Sequence, residues 1–278
     1  MLAENNLIVP NSDALRARHE TYGISDFDKW VNKTEGDASE KPANFAKYHE
    51  RTVQMLSTAL DVIAGEDPAQ ENFLKNWLQY KYNRNSYWKD FGEKFKSIEE
   101  LSVLDLGAGF GSLYSAFCHA ETFPKGYTAV EPNYGDPLKK RFPEINVVNA
   151  NSTDTKIPED IKADIVYIAG VAPYYKWEST DDTKGFKDIL TDLESHCEPG
   201  GVIVFSFTLD TERTLNPNRL PATLRQIYEE SQESGYQKNK SRFTEAQIAE
   251  LGYSVGPEIF VGTYVAYKKV WDRAPDAD

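Results

Sequence analysis

The spacing of apolar positions along the chain changes character near residue 100. Before that point, apolar residues recur at three- and four-residue intervals over 14–22, 45–64 and 71–95, the period of helices with one buried stripe. Breakers containing Gly, Asp, Ser, Glu and Pro separate these stretches at 34–42 and 65–68. The spacing predicts a helical N-terminal cap or arm over 1–100. Beyond it come short apolar runs at 101–106, 126–130, 145–149, 163–169 and 201–208, with helical stretches at 111–119, 137–142 and 185–197 between most of them. That alternation predicts βα units around a parallel sheet, an α/β domain over 101–278. A polar stretch at 209–240 breaks the rhythm, and a helix at 244–251 and two last strands at 253–260 and 264–270 follow. An interruption at the carboxyl end of a strand stands where open α/β sheets bind ligands, so 209–240 reads as a substrate insertion.

Composition changes this picture little; charge narrows the partners. Lys and Arg number 31 against 44 Asp and Glu, a net charge of −13, and no basic cluster offsets it. Nucleic-acid binding rewards clustered cations, so that class is excluded. Two cysteines, Cys118 and Cys197, match neither a disulfide framework nor a zinc site, and a reducing cytoplasm is the expected location. The start of the chain lacks the pattern of a signal peptide, and no apolar run is long enough to span a bilayer, so no membrane partner is expected. The aromatic residues Trp77, Tyr80, Tyr82, Tyr87, Trp88, Phe91 and Phe95 read mainly as packing residues of the cap.

Candidate chemistry begins at the end of the first strand, in Asp105-Leu106-Gly107-Ala108-Gly109-Phe110-Gly111-Ser112. Glycines let the backbone turn sharply and approach a ligand, and the following helix start offers free N–H groups. The next strand ends at Val130-Glu131, where a carboxylate can accept hydrogen bonds from both hydroxyls of a ribose. Together they point to a nucleoside-containing cofactor. A dinucleotide fingerprint would place a third glycine where Ser112 stands.

The loop instead resembles the first motif of the class I S-adenosylmethionine-dependent methyltransferases. Glu131-Pro132-Asn133 is similar to that family's second motif, and Asn151-Ser152 follows the third strand, where members contact adenine, often with an Asp-Ala pair. Ala163-Asp164-Ile165-Val166, the turn Glu198-Pro199-Gly200-Gly201, Phe243-Thr244-Glu245 and Leu251-Gly252-Tyr253 extend the likeness over about residues 101–270. The resemblance implies a Rossmann-like, seven-stranded sheet of order 3-2-1-4-5-7-6 with its last strand antiparallel and helices on both faces. It implies S-adenosylmethionine as cofactor: Gly107 and Gly109 along the methionine end, Asp105 orienting that end, Glu131 on the ribose, and Asn133, Asn151 and Ser152 about the nucleoside. For the methionine carboxylate, Tyr82, Arg84 and Tyr87 are the candidates, a solvated surface charge being the alternative for Arg84.

The loop after the fourth strand, Gly170-Val171-Ala172-Pro173-Tyr174-Tyr175, lacks the Asn or Asp that nucleobase and amide N-methylases carry there. Tyr174 and Tyr175 are candidate catalytic residues, since their faces stabilise a cation and their hydroxyls can bond a nucleophile; the alternative is that one of them only packs. Asp210 is a candidate carboxylate for an amine or hydroxyl. The histidines, His19, His49, His119 and His196, read as structural or surface residues, and no metal is expected: Glu178, Asp181 and Asp182 read as a solvated loop. The expected activity is methyl transfer to a small-molecule acceptor, an amine, amino acid or phenolic metabolite, in an aromatic-lined pocket. The alternatives are cyclisation of the cofactor's aminobutyrate arm with release of methylthioadenosine, or a non-catalytic binding module.

Overall fold

The computed structural model describes residues 42–68, 83–109, 111–132, 134–150, 157–172, 175–180, 184–209, 242–260 and 263–271. Its centre is a seven-stranded sheet of β1 (Ser102–Leu106), β2 (Gly126–Val130), β3 (Asn146–Val148), β4 (Ala163–Ile168), β5 (Cys197–Thr208), β6 (Ser254–Phe260) and β7 (Thr263–Lys269). The order is β3-β2-β1-β4-β5-β7-β6. β1 to β5 run parallel, and β7 lies antiparallel to both β5 and β6. The strand order and the direction of the last strand are those that the motif sequence implied.

The helices follow the apolar spacing. They are α1 (Pro42–Ala64), α2 (Arg84–Lys94), α3 (Ser112–Ala120), α4 (Gly135–Arg141), α5 (Phe186–Leu193) and α6 (Glu245–Glu250). In α5, Phe186, Ile189, Leu190 and Leu193 lie one and two turns apart on one stripe and are fully buried. A capping box opens α6: Thr244 Oγ1 accepts from the Gln247 N–H at 3.2 Å, and Gln247 Oε1 accepts from the Thr244 N–H at 2.8 Å. At α2 the Asn83 side chain accepts from the Ser86 N–H.

One boundary differs from the expected one. β5 begins at Cys197, upstream of the Glu198-Pro199-Gly200-Gly201 turn, because that turn is a bulge inside the strand: Ala163 pairs with Cys197 and Ile165 with Val202. Gly200, at φ +82°, makes the excursion accessible, and the Gly200 N–H donates to the Val270 carbonyl at 2.7 Å. The second observation concerns how the described helices of the expected cap pack. α1 packs on β5, β6, β7 and α3, and Met55, Leu56 and Ala59 share one core with Val103, Ile165, Val202, Val204 and Val265. α2 adds Tyr87, Trp88 and Phe91 to the same core, and its C-cap residue adds Phe95. The opposite sheet face forms a second core of Leu104, Val166, Phe205, Phe207, Trp177, Phe243 and α5. The expected helix at 14–22 and the insertion at 209–240, apart from Leu209, lie outside the described residues.

Candidate functional site

The parallel register of β1 and β2 sets Leu106 beside Val130, so the glycine loop and Glu131 leave the sheet side by side. The Gly107 and Ala108 N–H groups donate to the Val130 carbonyl at 2.8 and 3.3 Å, and the Glu131 N–H donates to the Val148 carbonyl at 3.0 Å. Glu131, 4% exposed, accepts from the Gly109 N–H through Oε2 at 2.7 Å. Glu131 and the glycine loop therefore adjoin each other at the carboxyl edge of β1 and β2. Gly107 has φ +71°, and a Cβ there would stand 2.4 Å from Val171 Cγ2, so the loop after β4 closes on a backbone that only glycine permits. No side chain caps α3, whose first N–H groups follow this loop.

Asp105 is the buried polar residue of β1. It accepts a hydrogen bond from the Tyr127 hydroxyl on β2. Burial pushes its carboxyl up to about 7; the Tyr127 bond opposes that shift, and the Glu131 charge adds to it. Asp105 also lines an open cleft with Arg51, Thr52, Gly107, Ala108, Ser112, Leu113, Tyr167 and Ala169.

Arg51 and Thr52, on α1, were not among the sequence candidates. Both are buried, and so are Gln54, Ser57 and Thr58 of the same helix. The signal was a polar group in the middle of an otherwise amphipathic stretch, but spacing alone reads such residues as the solvent face. Thr52 hydrogen-bonds with Tyr167, and the positive charge of Arg51 acts on the same phenol. Arg51 Nη1 lies 3.5 Å from where a Cβ on Gly170 would stand. The guanidinium therefore lies over the start of the loop that follows β4.

Among the other candidates, Tyr175 is 6% exposed and stacks on Phe186 with ring centroids 6.2 Å apart, inside the second core. Its surroundings are those of a packing residue, the alternative that the sequence left open for one tyrosine of the pair. Tyr87 packs edge-on against Trp88 at 4.9 Å. Arg84 is the first residue of α2; its side chain, together with Tyr82, Asn133, Asn151, Ser152, Tyr174 and Asp210, lies outside the described residues. So do Asp181, Asp182 and the side chains of His19, His49 and His119. His196 is buried, with Nδ1 2.9 Å from the Ile161 carbonyl, a structural role. Among the described residues, no group of three His, Cys, Asp or Glu could hold a metal ion, and no helix is long and apolar enough to cross a membrane.

No protein-family model and no curated protein matches the sequence. Solved structures to which it is similar include an O-methyltransferase family protein from Burkholderia thailandensis, at 10% identity and TM-score 0.42 over 70% of this chain and 63% of that one. The match thus spans less than two thirds of that neighbour's length. Others are human N-acetylserotonin methyltransferase in complex with SAM, at 15% identity and TM-score 0.42 over 78% of this chain and 67% of that one, and the plantazolicin methyltransferase BpumL in complex with SAH, at 12% identity and TM-score 0.44 over 82% and 98%. In the chain itself, the strand order is that of a Rossmann-like seven-stranded α/β fold, with the glycine loop and the acidic residue bonded to it at the carboxyl edge.

Proposed function

We propose that the protein is an S-adenosylmethionine-dependent methyltransferase acting on a small-molecule acceptor. The observation that carries this reading is the contact between Glu131 and the Gly109 N–H at the carboxyl edge of β1 and β2, beside a cleft whose floor is Asp105 and Gly107. The residues present fit the cofactor. A carboxylate offers about four acceptor positions, so Glu131 can hold both ribose hydroxyls while keeping the Gly109 bond. Gly107, whose missing side chain lets the loop after β4 close through Val171, lines the cleft with its backbone. The chemistry the cofactor supplies when bound is an electrophilic methyl group on a positively charged sulfur.

The chain's contribution is chiefly alignment, since displacement at an activated methyl gains most of its rate from placing the reacting atoms in line. Asp105 holds a proton near neutral pH and can release it toward a bound cation. Tyr174 and Asp210 are proposed to face the acceptor, the tyrosine ring toward the sulfonium and the carboxylate toward the nucleophile. Asn133, Asn151 and Ser152 are proposed nucleoside contacts on motif position. The segment 209–240 is proposed to enclose an amine, amino acid or phenol.

The test is to incubate the pure protein with S-adenosylmethionine, alone and with candidate acceptors, and to identify nucleosides by mass. We expect S-adenosylhomocysteine only when an acceptor is present. Steady enzyme-dependent release of methylthioadenosine without any acceptor would overturn the reading in favour of a cyclase, and absence of cofactor binding would reduce the protein to another kind of module.

A further inference from the structure

We propose that Arg51 of α1 binds the carboxylate of the cofactor's amino-acid arm, in the same cleft as Asp105, which the family resemblance already sets at that end. The proposal rests on the cofactor reading above and assigns a group that the motifs leave without a partner. Three observations carry it. First, Arg51 is 8% exposed and lines the cleft together with Gly107 and Ala108 of the glycine loop and Ser112 and Leu113 at the start of α3. These elements define the cofactor's side of the site, not the acceptor's. Second, the cleft offers a cation and an acid together, the pair an α-amino acid zwitterion requires. A guanidinium presents parallel N–H groups that match a carboxylate bidentately.

Third, Arg51 is held in place by its helix. Met55, Leu56 and Ala59, along α1, are fully buried against the sheet. At the C-terminus of α1, the Lys269 ammonium donates to the Val62 and Ile63 carbonyls, each at 3.2 Å. Next to Arg51, Thr52 bonds Tyr167 on β4, the strand neighbour of Asp105. Gly170 has no side chain where Arg51 Nη1 approaches it. The helix read from sequence as a cap thus carries part of the binding wall.

The experiment titrates the full chain with S-adenosylhomocysteine and with S-adenosyl-3-thiopropylamine, the same thioether without its carboxylate. Wild type should prefer the first by about 10- to 100-fold, the range for a hydrogen-bonded charged group. Arg51→Gln should bind both alike, with affinity for the carboxylate-free compound unchanged. Arg51→Lys, which keeps the charge without the fork, should retain part of the preference. A wild type that fails to discriminate, or a preference that survives Arg51→Gln, would overturn the assignment while leaving the cofactor reading intact. Failure of wild type to bind either compound would sink both. If Arg51→Gln does not fold, Arg51→Lys decides: an undiminished preference there contradicts the proposal.

Discussion

The two faces of the sheet are built differently. On one, α5 sets Phe186 against Phe205 and Phe243, with ring centroids 5.2 and 5.4 Å apart, in a largely aromatic and aliphatic cluster. On the other, under α1, strand residues of the alternate parity include Asp105, Tyr127, Tyr167 and Ser206 as well as aliphatic ones, and the helix above them adds buried Arg51, Thr52 and Gln54. Burying polar groups costs free energy unless they find partners, so a sheet that is apolar on one face has no packing reason to be polar on the other. The polar face carries the proposed binding residues; the aromatic face holds the strands that position them.

The largest expected effect attacks the aromatic face. Phe186→Ala removes a fully buried ring and should cost about 3–5 kcal/mol of stability by urea unfolding. Cofactor affinity per folded molecule should stay near wild type. A fall in affinity as large as the fall in stability would dissolve the division between the two faces.

Glu131→Ala should do the reverse. It removes the ribose acceptor and the Gly109 bond, and calorimetry should show binding weaker by about 1.5–3 kcal/mol, ten- to hundredfold. Unchanged affinity would remove Glu131 from the site.

Asp105 gives the polar face a pH signature. Its folded-state carboxyl is raised from 3.8 to about 7, so between those values the folded chain keeps a proton that the unfolded chain has lost. Its contribution to stability is complete below pH 3.8 and is lost as pH rises through 7, with a slope no steeper than about 1.4 kcal/mol per pH unit. Asp105→Asn, which can still accept from Tyr127, should flatten that part of the stability profile measured by denaturant titration at a series of pH values. A profile that keeps its slope would mean that another group titrates there.

The smallest expected effect tests the anchoring of α1. Lys269→Met keeps the stem but removes the charge at the helix C-terminus, and should cost about 0.3–1 kcal/mol in thermal unfolding. A loss beyond that range would mean that Lys269 supports more than the helix end.

Motif-bearing turns and period-two strands were legible in the sequence because their causes are local. Gly107 needs a positive φ, α5 needs its stripe, and Glu131 follows from where β2 must stop; the strand order was expected from the family resemblance and not from spacing. Arg51 was not legible, and Tyr175 could be read two ways. Arg51 lies 54 residues ahead of Asp105, on a helix whose polar residues look solvated until the helix is laid across β5 and β7. Tyr175 sits in a loop at the reactive edge, yet its ring turns back onto Phe186. Local spacing fixes which residues share a face of one element. Which face meets which neighbour depends on long-range packing, because the burial of a polar or aromatic side chain is a property of two surfaces brought together and not of either segment alone.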